Sequence, residues 1–96
     1  MIQVGTDLEK CVTFEDGTLL RNLIEAEFAR SGRAIVSFAQ ISAVSSSFVN
    51  GAFVQLMSDR DLEWFRSNVR VVEVTTPIAD LIRKGVQRGA EKSRNH

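Results

Sequence analysis

Hydroxyl groups are the reactive side chains that this sequence gathers most densely. Ser45, Ser46 and Ser47 stand in a row within ISAVSSSFVNGAF (residues 41–53), Ser42 lies just before them, and Thr75 and Thr76 form a second pair. A serine in such a row can serve as a nucleophile, as a phosphate acceptor or as a helix cap. Nucleophilic use requires a neighbouring base, and the only histidine is His96 at the last position, with no Ser-x-x-Lys pattern after the serines. One histidine and one cysteine, Cys11, also leave an internal disulfide or a His/Cys zinc site without material. The expectation is a protein that is not an enzyme, holds no metal or cofactor, and works in a reducing, cytoplasmic setting. Cys11 itself reads as a small core hydrophobe.

The elements that must carry these hydroxyls come from a chain of 96 residues, enough for one small domain. Its core is expected over about 10–88, followed by a polar tail over 89–96. Hydrophobic residues make up 44% and charged residues 25%, the balance of an ordinary globular protein and not of a disordered one. Twelve basic and twelve acidic side chains cancel, so no global field draws the chain to nucleic acid or anionic lipid. Arg83, Lys84, Arg88, Lys92 and Arg94 bias only the last stretch, with no interleaved aromatic residues to stack bases. They read as a solvated helix face. No run of about 18 apolar residues is present to cross a bilayer, and no signal-peptide pattern opens the chain.

MIQV and KCVTF, rich in branched and aromatic residues, predict a strand or two near the start. From Thr18 the spacing of Leu19, Leu20, Leu23, Ile24 and Phe28 predicts a helix, with Asp16 or Thr18 as cap and Gly32 as its left-handed stop. RAIVSF is a buried strand. The next stretch offers two readings, because Asn50-Gly51 between apolar residues is a strong hairpin signal. Phe48, Val49, Ala52, Phe53, Leu56 and Met57, however, recur at helical spacing, which predicts a helix from about Ser47 to Met57. Gly51 weakens that helix by about 1 kcal/mol relative to alanine, so its presence asks for a close backbone approach. The serines then sit at the helix entrance.

Further on, Asp59 is expected to cap a short helical turn with Leu62 and Phe65 facing inward and Trp64 partly buried against the last helix. VRVVEV is the next strand. Thr75 and Thr76 precede Pro77 at a helix start, Ile78, Leu81, Ile82 and Val86 form its apolar face, and Gly89 with EKSRNH ends it. Alternating strands and helices predict an α/β domain, a mixed, mostly parallel sheet of about four strands flanked by helices. Ligands of such sheets gather at the carboxyl ends of strands. The two hydroxyl-bearing loops, 39–47 and 75–77, lie there.

AIVSFAQISAVSSSFVNGAFVQL resembles the segment of STAS domains, the sulfate-transporter and anti-sigma-factor-antagonist group, in which an apolar strand leads through a short loop to a serine at a helix start. More narrowly it is similar to the bacterial STAS-like family of unknown function DUF4325, whose first helix, with an early arginine, TFEDGTLLRNLI and Arg21 resemble. The likeness runs over about residues 10–85. Ser37 stands where that family ends the strand in aspartate, and Asn50-Gly51 where it has an acidic pair. Against the antagonists' Asp-Ser-(Ser/Thr)-Gly-Leu motif, Ser46 matches the phosphate-accepting serine and Ser45 replaces the aspartate.

The resemblance implies a regulatory protein–protein interaction domain, an antagonist-type switch whose partner is a histidine-kinase-like ATPase or an anti-sigma factor. Ser45, Ser46, Ser47, Asn50, Thr75 and Thr76 are the expected partner-binding or phospho-switch residues. Three other readings stay open on the residues alone. The serines are caps and nothing more; the hydroxyl-lined loops bind a small ligand or act on one; or the basic last helix holds nucleic acid weakly.

Overall fold

Residues 1–94 are described by the computed structural model; Asn95 and His96, and with His96 the one histidine, lie outside the described residues. In chain order the elements are β1 (Ile2–Gln3), a single helical turn α1 (Val4–Asp7), α2 (Phe14–Ser31), β2 (Ala34–Ser37), α3 (Ser46–Val49) continuing into a π-helical stretch (Asn50–Val54), α4 (Leu62–Asn68), β3 (Val69–Val72) and α5 (Thr76–Arg94). The strands lie in the order β1-β2-β3 and both pairings are parallel, with Ile2 opposite Val36 and Ala34 to Ser37 opposite Val69 to Val72. The α/β class therefore holds, with three parallel strands among the described residues in place of the expected mixed sheet of about four.

The strand lost is KCVTF. Cys11 to Thr13 form a bend, and Thr13 is the N-cap of α2: its hydroxyl accepts from the Asp16 N–H at 3.0 Å, while the Asp16 carboxylate accepts from the Thr13 N–H at 3.0 Å. This reciprocal pair is the capping box, and it starts the helix ahead of Asp16 and Thr18, the expected caps. Asp16 also accepts from the Val12 N–H. These hydrogen bonds, the one from Thr13 foremost, hold its carboxyl below the usual carboxylate range. Gly32, at φ 81°, ends α2 as expected and donates its N–H to the Phe28 carbonyl.

Ala34, Val36, Phe38 and Val69 point into the core, whereas Gln3 and Arg70, on the opposite pleat, are exposed, so the helices cover one face of the sheet. The helix predicted over 47–57 is present as α3 and its π-helical continuation, and no hairpin forms at Asn50-Gly51. It is apolar on nearly every side, as a central helix must be. Phe48, Val49, Ala52, Phe53, Val54, Leu56 and Met57 are all buried. On one flank it meets α2 through glycine: a Cβ on Gly51 would stand 2.2 Å from the Phe14 carbonyl oxygen, and one on Gly17 would stand 2.1 Å from that of Phe48. On the other it meets α5, where a Cβ on Gly89 would lie 2.6 Å from the Val54 carbonyl oxygen. The close approach that Gly51 called for is thus to α2.

Two other expectations are corrected. Asp61, not Asp59, caps α4, its carboxylate accepting from the Trp64 N–H at 2.8 Å. Trp64 is half-buried, but against α2, with the Phe28 ring 5.2 Å away and the Arg60 guanidinium 4.1 Å above its own ring. Arg60 in turn grips Glu25 of α2 with two hydrogen bonds of 2.8 and 3.0 Å and donates to the Leu56 carbonyl, pinning the turn that ends the central helix. Gly89 does not end α5, which continues to Arg94 and buries Ala90 where a polar tail was expected. The core likewise begins at Ile2, ahead of residue 10.

Candidate functional site

Ser45 is the N-cap of α3. Its hydroxyl accepts from the Phe48 N–H at 3.0 Å and donates to the Val12 carbonyl, and its N–H bonds to the Cys11 carbonyl at 3.3 Å. These three bonds tie the serine loop to the bend before α2, and the Gly17–Gly51 crossing then sets the first turns of α2 and α3 side by side. Ser46 and Ser47 follow on the first turn of α3, both exposed and with hydroxyls that make no hydrogen bond to the protein among the described residues.

The bend brings apolar groups to this edge. Val12 is 61% exposed and Phe14 44%, two of the few large hydrophobic side chains left in solvent. The capping box fixes the backbone of this bend, with Asp16 accepting from the Val12 and Thr13 N–H groups. Sequence reasoning missed both residues because KCVTF was read as strand. The signal that would have found them is Thr13-x-x-Asp16, a capping box three residues before the apolar spacing begins. Cys11, half-buried in the same bend and not on a strand, packs against the core. Burial, with the Asp16 charge adding, pushes its thiol up, away from thiolate reactivity.

The other expected residues lie apart from this edge or are engaged elsewhere. Asn50 is half-buried, its Oδ1 accepting from the Arg88 guanidinium of α5 at 2.6 Å, so it links two helices. Thr75 and Thr76 are exposed at the carboxyl end of β3, where the Thr75 carbonyl accepts from the Ala79 N–H as α5 begins. No hydrogen bond joins them to the serines among the described residues. Between the two loops stands Glu73, which sequence reasoning passed over: its carboxylate accepts from the hydroxyl of fully buried Ser37 at 3.2 Å. Gln40 at φ 68° and Glu73 at φ 52° are the non-glycine residues in the left-handed region among the described residues, one after β2 and one after β3. The carboxyl end of the sheet is thus where backbone strain collects.

A family model described as a STAS-like domain of unknown function (DUF4325) matches residues 16–79. The chain belongs to this STAS-like family. No curated protein and no solved structure gives a significant match. Within the STAS-like domain the match runs from the first turn of α2 into α5 and includes the serine row and Thr75-Thr76, while Val12 and Phe14 precede it. Arg21, the early arginine of the resemblance, lies on α2 with its Nε buried and unpartnered. Among the described residues no three His, Cys, Asp or Glu side chains group to hold a metal ion, and no helix is long and apolar enough to cross a membrane.

The geometry separates the three serines by role, and stability measurements will show it. Ser45→Ala removes the cap of the central helix and the tie to Val12, and should lower unfolding free energy by about 1–2 kcal/mol. Ser46→Ala and Ser47→Ala should stay within about 0.5 kcal/mol of wild type. Urea unfolding of the three variants checks this. Equal losses at all three positions would mean that the row acts as one structural unit.

Proposed function

We propose that this STAS-like domain is a non-enzymatic, cytoplasmic regulatory module that binds a protein partner through the edge formed by Val12, Phe14, Ser46 and Ser47. The observation that carries the reading is the pairing of two outward-held apolar side chains with two unengaged hydroxyls, beside a third hydroxyl consumed in capping. Burying Val12 and Phe14 against a partner supplies about 1.5–3 kcal/mol each. Phosphorylation of Ser46 would put up to two negative charges into that apolar contact, where desolvation opposes it, so the same residue suits a switch. By family likeness the partner is an anti-sigma factor or a histidine-kinase-like ATPase. Thr75 and Thr76 belong to a separate loop in this reading and are dispensable for docking.

Capture from an extract of the source cells with immobilised domain tests it. Wild type and Ser46→Ala should retain the same partner. Phe14→Ser should weaken retention at least tenfold without loss of fold, since its side chain is exposed, and Ser46→Asp should release the partner. Identical retention by all four proteins rejects the edge as the docking site.

A further inference from the structure

The amino ends of β2 and β3, away from the serine edge, carry three arginines that form no ion pair among the described residues. Arg33 precedes β2, Arg66 lies in the last turn of α4 and Arg70 is the second residue of β3; together with Ser67 and Asn68 they line a polar groove of about 240 Å³. Arg30, Arg60 and Arg83 each pair with a carboxylate, but among the described residues these three do not, and all three are exposed. In a chain of zero net charge such a cluster is a local arrangement, not a by-product of composition. Guanidinium groups left without carboxylates suit an oxyanion, whose oxygens fit their forked donors. No aromatic ring lines the groove to stack a nucleic-acid base.

Arg66 is also a wall of a second groove, of about 390 Å³, between α4, β3 and α5. Leu62, Phe65, Val71, Val74, Ile82 and Val86 make most of its wall apolar, with Gln87 and Arg83, itself paired with Asp80, also lining it. It lies along β3, an edge strand among the described residues, where the sheet stops short of α5. A basic groove opening beside an apolar one, with one arginine shared, matches a ligand that is anionic at one end and apolar at the other.

We propose that the two grooves form one site for a small, free anionic amphiphile, with a phosphate or carboxylate head on Arg33, Arg66 and Arg70 and an alkyl tail along Leu62, Phe65 and Val86. The site is independent of the docking edge proposed above, so either can fail alone.

Amide chemical shifts of the whole chain, followed during titration with octyl phosphate, octanoate, inorganic phosphate and octanol below their micelle-forming concentrations, test the proposal. At least one of the two amphiphiles should saturate, shift the amides of Arg70, Val71 and Val86, and bind at least tenfold tighter than inorganic phosphate or octanol; which of them does so identifies the head group. Shortening the tail from eight to six carbons should weaken binding several-fold, about two- to fourfold for each methylene withdrawn from water. Arg66→Gln, a change at an exposed position, should weaken binding about tenfold with an unchanged thermal midpoint. Equal affinity for inorganic phosphate would reduce the site to a bare charge patch, and equal affinity for octanol would reduce it to a greasy surface. Either result overturns the proposal, as do an unaffected Arg66→Gln variant and binding seen only above the micelle threshold.

Discussion

Alanine at Gly17 or Gly51 should lower the unfolding free energy by at least about 3 kcal/mol, the upper end of what overpacking a core costs. The added methyl would lie 2.1 Å from the Phe48 carbonyl oxygen in one case and 2.2 Å from that of Phe14 in the other. Both neighbours are backbone, so no change of rotamer relieves the clash and the two helices must part. Set against a total of about 5–15 kcal/mol for a small domain, the loss is a large share. Two other glycines calibrate the result. Gly85→Ala meets side chains and no backbone, Val49 at 2.7 Å and Val54 at 3.5 Å, so its effect should be smaller. Gly32→Ala meets nothing within 4 Å but must adopt φ 81°, which costs about 1–2 kcal/mol. Urea unfolding of the four variants should rank Gly17 and Gly51 above Gly32 and Gly85. A loss under about 1 kcal/mol at Gly51 would show that α2 and the central helix do not cross at backbone contact. Parting these helices also separates the first turns of α2 and α3, so Gly51→Ala should disturb the docking edge without touching any residue on it.

Phe53→Ala should cost about 3–5 kcal/mol, the range for truncating a buried phenylalanine. Phe53 is 0% exposed, sits in the π-helical stretch and meets the Phe65 ring edge-on with centroids 6.3 Å apart. Its loss therefore removes transfer energy and an aromatic contact, and leaves a cavity between the central helix and α4. Phe65→Ala, at the half-buried end of the same pair, should cost less because water can fill part of the space. Denaturant midpoints at constant m-value decide the matter. A near-zero change for Phe53→Ala would place this side of the helix at an interface and not in the core.

Patterns set by local physics could be read without coordinates. Six apolar residues from Phe48 to Met57 at helical spacing outweigh one Asn-Gly pair, because a hairpin would strand half of them in water. Gly32 as the stop of α2, the strands RAIVSF and VRVVEV, and the apolar face of α5 follow from the same kind of local preference. The serine row could be placed at a helix entrance for the same reason. KCVTF shows where propensity misleads: its branched and aromatic residues favour a strand, yet the Thr13–Asp16 capping box satisfies four-residue hydrogen bonding at once and wins.

Tertiary structure decided what depends on the neighbour. Three consecutive serines are chemically identical in the sequence, and where α3 starts, together with the proximity of the Val12 carbonyl, assigns Ser45 to structure and leaves Ser46 and Ser47 free. Asn50, expected at a partner surface, is claimed by Arg88 from 38 residues away. Trp64 turns to Phe28 and Arg60 because Arg60 is itself held by Glu25 of α2, a choice no local spacing records. The outward set of Val12 and Phe14, and the meeting of Arg33, Arg66 and Arg70 around one groove, also arise only when distant segments pack. Periodicity fixes which side of an element is buried, because that preference acts over one or two turns. Which groups then meet is set by the whole fold, since hydrogen bonds and charges act over a few ångströms between segments the chain order keeps apart.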